Sequence, residues 1–228
     1  MTLSRSDLER GRMREIYAAT IGAAYALDDH ALDRSLAATL AERPKGAGWW
    51  VFAYGSLLWN PLFPVADAIP ATVHGLHRRF CLRSLASRGT CERPGLVLGL
   101  ERGGACRGVA LRLPAALARD ELRLLWRREM VVGSYRPVWV RARARGRTLV
   151  ALTFAVQRDH PQYAALPLGR QADAIASAQG AFGSCCDYLA RTREALAVHG
   201  IVDAYLERLA TDVAARQRHS GVRGPSRA

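Results

Sequence analysis

Apolar residues recur on two different rhythms along this chain, and the changes of rhythm mark its organisation. Leu8, Met13, Ile16, Tyr17, Ile21 and Tyr25 fall near helical spacing and predict a helix over 6–26. Asp28 and Asp29 open a second short helix reaching Leu40, with Leu32, Leu36 and Leu40 on one face. Pro44-Lys45-Gly46-Ala47-Gly48 reads as a linker. From Trp49 to Leu113 the rhythm turns to strands, over Val51–Leu57, Ala71–Ser84, Leu96–Leu100 and Gly108–Leu113, separated by Pro and Gly turns. Pro114 opens a helix at its first turn, where a missing N–H costs nothing. Leu117, Leu122, Leu124, Leu125 and Trp126 supply its apolar side, and it ends near Arg128-Glu129. Val138–Ala144 and Thr148–Val156 pair as a hairpin across Arg145-Gly146-Arg147. Three helices follow over 169–179, 183–199 and 201–217, with Gly180 and Gly200 as stops. A strand-rich middle with helices around it is α+β. The expected division is a helical extension over 1–47, a domain over 48–217, and a basic, disordered tail over 218–228.

Composition narrows the class. Among 228 residues, half are hydrophobic and 23% charged, which is globular rather than disordered. The apolar runs fall far short of the ~20 residues a membrane span needs. The N-terminus lacks the apolar core of a signal peptide, so a cytoplasmic location is expected, with no membrane partner. Five cysteines, odd in number and without a Cys-x-x-Cys pair, argue against a disulfide framework and against a zinc site. The adjacent Cys185 and Cys186 read as small apolar filler on a helix. His74 and His77 lie three apart in a strand, hence on opposite faces, and no metal is expected.

The net charge of +13 raises the question of nucleic acid. The arginines are scattered, however. Arg141, Arg143, Arg145 and Arg147 alternate with apolar residues as the wet face of a hairpin. Arg216, Arg218, Arg223 and Arg227 belong to the terminal region. Neither group interleaves aromatics as a single-strand platform does, so no nucleic-acid partner is expected. The charge is better suited to steering a small anionic substrate.

Candidate chemistry concentrates at Trp49-Trp50-Val51-Phe52-Ala53-Tyr54-Gly55-Ser56-Leu57-Leu58-Trp59-Asn60. An uninterrupted apolar run enters a turn in which hydroxyls flank a glycine. Gly55 lets backbone approach a ligand closely or take a positive φ, and consecutive N–H groups there form an anion-binding concavity. This Phe-x-Tyr-Gly-Ser-Leu-x-Trp-x-Pro run resembles the signature of the ChaC-type γ-glutamylcyclotransferases. Arg88-Gly89-Thr90-Cys91-Glu92-Arg93-Pro94-Gly95 is similar to the family's Arg-Gly-Thr-Pro-Glu-x-Pro-Gly turn, and Trp126 to Tyr135 to its catalytic-glutamate segment. His160-Pro161-Gln162-Tyr163 and Gly180-Ala181-Phe182-Gly183-Ser184 also match, so the resemblance spans roughly residues 48–210. It implies a small mixed β-barrel surrounded by helices and an enzyme that releases 5-oxoproline from glutathione, with no cofactor.

Cyclotransfer needs no enzyme nucleophile. The substrate α-amine attacks its own γ-carbonyl, so one carboxylate that takes a proton from that amine and gives one to the leaving nitrogen suffices. The resemblance assigns this role to Glu129. Placement at a helix C-terminus beside Met130-Val131-Val132 would raise its pKa by dipole and burial; spacing alone favours a salt-bridged surface glutamate beside Arg127 and Arg128, and the family match reverses that. The resemblance assigns substrate binding to Val51, Phe52, Ala53, Tyr54, Gly55, Ser56 and Leu57. Tyr135 would contact substrate or orient Glu129, with a core role equally open. Arg88 would meet the glycine carboxylate of glutathione or fix its own turn. Three positions depart from the family: Ala53 replaces a glycine and would narrow the pocket, Cys91 replaces proline, and Ser134 replaces a second glycine. Ser56 as an acyl-enzyme nucleophile lacks a Gly-x-Ser-x-Gly elbow. Alternatives are a cyclotransferase for another γ-glutamyl amine or amino acid, and a non-enzymatic basic regulatory protein. The oligomeric state is open.

Overall fold

The computed structural model describes residues 3–222. Its centre is a closed five-stranded barrel. The strands are β1 (Trp50–Ala53), β2 (Asp67–Ser84), β3 (Gly95–Arg112), β4 (Tyr135–Ala144) and β5 (Arg147–Val156), in spatial order β1-β3-β2-β4-β5. β1 is antiparallel to β3, with Phe52 opposite Ala110, and parallel to β5, with Val51 opposite Leu152. That parallel contact closes the barrel, and Thr153 Oγ1 reinforces it by donating to the Phe52 carbonyl at 2.9 Å. β1 sits between two neighbours and all four of its residues are buried, which is why its sequence shows no polar alternation.

The interior holds Phe52, Phe80, Phe154 and Trp126, each with essentially no exposure. Burying side chains of this size contributes roughly 1.5–3 kcal/mol apiece. Trp126 arrives from α4 (Ala118–Glu129) and meets Phe154 edge-on at 5.4 Å. Leu122 and Leu125 share that face, so the helix is clamped by its apolar stripe and its C-terminal residue, Glu129, is delivered to the barrel mouth. α3 (Asp29–Ala41) docks through Trp126 Nε1 to Ser35 Oγ and Trp139 Nε1 to the Thr39 carbonyl. α5 (Leu168–Ser177), α6 (Cys185–Val198) and α7 (Ala204–Val222) cover the other side. Gly200, at φ 66°, ends the turn after α6 as expected.

Several expected boundaries move. The helix over 6–26 is two helices, α1 (Arg5–Glu9) and α2 (Arg12–Ile21), because Gly11 takes φ 73° between them and Gly22 φ 99° after them. The strand over 51–57 stops at Ala53, and Ser56–Leu58 form one 3-10 turn. The two short strands over 96–100 and 108–113 are the single β3, held through its polar middle by pairing with β2. A register shift between His74 and Leu76 in β2 upsets the simple two-face alternation expected for His74 and His77. Gly180 ends no helix; α5 stops at Ser177, and Gly180 pairs with Gly183 in a hairpin of β6 (Gln179–Gly180) and β7 (Gly183–Ser184). α7 continues to Val222, past its expected end at 217, and the rest of the expected tail, 223–228, lies outside the described residues. Among the described residues no helix is long and apolar enough to cross a membrane.

Candidate active site

Two small hollows at the barrel mouth share Ser56, Glu129, Tyr135 and Tyr188 in their walls. The inner one, about 20 Å³, is bounded by Tyr54, Gly55, Ser56 and Leu57. The outer one, about 110 Å³, reaches Arg88, Trp59 and Phe182. Glu129 stands at their junction. A larger groove of about 1060 Å³, rich in arginine, lies along β4 and β5 and contains none of the expected site residues.

Glu129 is not the surface residue its neighbours in sequence would allow. Its side chain is 14% exposed, and its Oε1 lies 3.0 Å from Nε of Arg128, itself 7% exposed. Burial raises the pKa of Glu129, and the Arg128 charge pulls against that rise. Burial likewise lowers that of Arg128, against the attraction of Glu129. Arg128 gives two further hydrogen bonds across the site, one to Ser56 Oγ at 2.8 Å and another to the Asn60 carbonyl. One guanidinium thus ties the end of α4 to the Tyr-Gly-Ser turn. Arg127 faces away, toward Asp29.

The turn after Glu129 is pinned carbonyl by carbonyl. His160 Nε2 meets the Val132 carbonyl at 2.9 Å, while its Nδ1 accepts from the Gln162 N–H, which places the ring proton on Nε2. The Gln157 side chain donates to the Gly133 carbonyl and its backbone N–H to that of Ser134. Tyr135 then enters β4 with its hydroxyl donating to the Leu98 carbonyl at 2.7 Å. Tyr54 donates to the Phe154 carbonyl, also at 2.7 Å. Burial holds both phenols protonated far above their ordinary value, and Tyr188 is pushed up to about 12.

Gly55 is required for a reason other than a positive φ, since its φ is −139°. A Cβ there would lie 2.8 Å from the Tyr188 hydroxyl, so glycine is what lets Tyr188 reach the turn. The turn carrying Arg88 is equally tight, because a Cβ on Gly89 would meet Gly95 N at 2.1 Å. Arg88 projects from it, 6% exposed, to Asp187 at 3.1 Å and the Ser184 carbonyl at 3.2 Å, and lies over Trp59 and Tyr188.

The structure therefore brings together Tyr54, Gly55, Ser56, Leu57, Arg88, Glu129 and Tyr135. It puts Val51, Phe52 and Ala53 in the barrel wall, where all three are fully buried and bound neither hollow. The methyl of Ala53 consequently does not narrow the pocket. The sequence offered Arg128 only as a surface partner of Glu129, gave Trp59 of the quoted run no role of its own, and left Tyr188 as one more apolar helix position. It also gave no sign that Leu3, Met13 and Tyr17 of the N-terminal segment line the outer hollow.

The sequence model of the ChaC-like protein family matches residues 49–216. A glutathione-specific γ-glutamylcyclotransferase of Escherichia coli is 42% identical over 181 residues, 78% of each chain. The γ-glutamylcyclotransferase 2-3 of Arabidopsis thaliana is 32% identical, covering 75% of this chain and 88% of its own. A solved γ-glutamylcyclotransferase specific to glutathione from yeast superposes with a TM-score of 0.70 over 76% of this chain and 99% of that one, at 24% identity, which speaks to the fold. With residues 49–216 matched by the family model and a relative 42% identical over 78% of each chain, this chain belongs to the ChaC-like family.

Proposed function

We propose that the protein is a γ-glutamylcyclotransferase that cleaves glutathione to 5-oxoproline and cysteinylglycine, with Glu129 as the proton shuttle. The observation that carries this reading is a buried carboxylate, its pKa raised, at the junction of two hollows, one bounded by the Tyr-Gly-Ser-Leu turn. The γ-glutamyl group binds against the Tyr-Gly-Ser turn, where the two hollows meet beside Glu129. The first N–H groups of the 3-10 turn over Ser56–Leu58 have no partner within it and serve the α-carboxylate or the developing oxyanion. Glu129 takes a proton from the α-ammonium, and the freed amine attacks the γ-carbonyl. The same carboxyl gives that proton to the departing nitrogen as the C–N bond to cysteine breaks, and the second proton of the attacking nitrogen then passes through Glu129 to the released amine, leaving a lactam N–H and a cysteinylglycine ammonium. The reaction is already intramolecular, so holding the chain bent for ring closure contributes by freezing the remaining bond rotations in a near-attack geometry. Tyr135 holds position through Leu98 and keeps its oxygen lone pairs for the substrate or for Glu129. Arg88 faces the far end of the tripeptide. The cytoplasm, where thiols stay reduced, suits both the substrate and the five free cysteines.

The test is incubation of the purified protein with reduced glutathione, following both products by mass spectrometry. Equimolar 5-oxoproline and cysteinylglycine are expected. Glu129→Gln should fold and lose about 10²–10⁴-fold in kcat, the usual worth of a proton-transfer group. Undiminished turnover in that variant removes Glu129 from the mechanism. Turnover of another γ-glutamyl compound with glutathione inert reassigns the substrate.

A further inference from the structure

Residues 3–21 lie outside the stretch that matches the family, yet they are built into the site. Leu3, Met13 and Tyr17 bound the outer hollow together with Glu129, and each is less than 9% exposed. They form an apolar cluster with Val131 and Val132, which follow Glu129, and with Ala86 and Phe182 beside the Arg88 turn. The Tyr17 hydroxyl interacts with Ser87 and feels the Glu129 charge. The left-handed Gly11 makes the corner that turns α2 away from α1. α1 is anchored apart from the hollow: Arg5 donates to both carboxylate oxygens of the buried Glu121, at 2.7 and 3.0 Å, and to the Leu62 carbonyl at 3.2 Å. Asn60 Nδ2 donates to the Leu3 carbonyl at 3.0 Å.

This placement acquires meaning from the reaction proposed above, on which the inference rests. If the γ-glutamyl group lies against the Tyr-Gly-Ser turn and Glu129 stands beside the scissile amide, whatever follows that amide meets Met13 and Tyr17. The outer hollow, about 110 Å³, is well below the roughly 300–1,000 Å³ of sites for drug-sized ligands. Its N-terminal wall is a thioether, an isobutyl group and a phenol ring, apolar surfaces that suit a short thiol-bearing side chain. We propose that α2 is a selectivity cap, in which Met13 and Tyr17 limit the size of the group carried beyond the scissile γ-amide and so exclude S-substituted γ-glutamyl peptides.

The experiment measures kcat/KM for glutathione, S-methylglutathione and S-benzylglutathione with the full chain, Met13→Ala, Tyr17→Ala, Tyr17→Phe and Arg5→Ala. The wild type should strongly favour glutathione. Met13→Ala and Tyr17→Ala should raise the ratio of S-substituted to unsubstituted substrate by about 10-fold or more, the usual worth of a few pocket methylenes. Tyr17→Phe, which keeps the ring, should hold the wild-type ratio. Arg5→Ala, which touches no wall of the hollow, should raise the ratio by loosening the cap. Should an alanine variant fail to fold, Met13→Val keeps the cluster apolar and should move the ratio the same way by less. Folded variants with the wild-type ratio overturn the cap, as does a wild type that accepts S-methylglutathione as readily as glutathione. A wild type inert to all three compounds overturns glutathione as the substrate and the cap with it.

Discussion

Replacing Arg128 by methionine removes a charge from the immediate neighbourhood of Glu129 while keeping an apolar stem in a buried place. Two unit charges about 4 Å apart, at an effective dielectric constant near 20, attract by about 4 kcal/mol. That equals about 3 pKa units, and measured carboxylate shifts beside an arginine run from about 1 to 3. Arg128 opposes the burial that raises Glu129, so its loss should lift Glu129 further. A base must be ionised to work. The acid limb of the kcat/KM profile, already above the ordinary glutamate value of 4.5, should therefore move to higher pH. Much of the rate should return on the alkaline side of the new limb. Arg128→Lys, which keeps the charge, should move the limb less. The sign also governs stability. A carboxyl whose folded pKa is raised contributes stability that is fully present below its unfolded value and is lost as pH rises through the folded one. The Tm deficit of Arg128→Met against wild type should therefore widen from acid toward neutral pH. It adds to a roughly pH-independent loss of about 1–3 kcal/mol from leaving Ser56 Oγ and the Asn60 carbonyl without their donor. An acid limb that stays in place in Arg128→Met, with kcat alone reduced, would refute the electrostatic role and leave Arg128 as a tether.

Gly55→Ala puts a methyl 2.8 Å from the Tyr188 hydroxyl, and overpacking of this kind costs about 1–3 kcal/mol. In a chain of this size that lowers Tm by roughly 2–4 °C per kcal/mol; calorimetry together with a rise in KM for glutathione checks it, and an unchanged KM separates the glycine from the site. The thiols should divide by burial. Cys81 and Cys185 are pushed up to about 12, which leaves about one part in 10⁵ as thiolate at neutral pH, while Cys91 is exposed. Titration with an aromatic disulfide should find Cys91 first, Cys186 slowly, and the buried three after unfolding; fast modification of Cys185 would contradict its packing against the Leu96 carbonyl.

What the sequence made legible is what local chemistry decides. The β4–β5 hairpin follows from alternation on either side of Gly146, and the end of α4 from the arrival of charged residues after an apolar stripe. Less was legible where distant segments decide. The middle of β3, with Glu101, Arg102 and two glycines, carries no strand pattern and is a strand because β2 pairs with it. Gly11 and Gly22 sit in a continuous helical stripe and still break it, since their left-handed backbone follows from where α1 and α2 must dock. At the site, the Tyr-Gly-Ser turn and Glu129 stood out through their resemblance to a family. Arg128 was set aside as ordinary charge at a helix end, because nothing local says that it turns inward to Ser56. Met13 and Tyr17 read as core, and core they are; that their cluster also borders the hollow depends on contacts from six separate stretches of chain.

That dispersal has a consequence for how the protein comes into being. Tyr17, Ser56, Arg88, Glu129 and Tyr188 are spread over most of the chain, and the barrel closes through a parallel contact between Val51 and Leu152. Non-local pairings of this kind form late, after the loop entropy of bringing remote strands together has been overcome. A ribosome adding about 5–20 residues per second exposes the binding turn well before the helix that completes its wall. A nascent chain that stops short of Tyr188 thus carries Glu129 and the whole Tyr-Gly-Ser turn but lacks a side chain that walls both hollows.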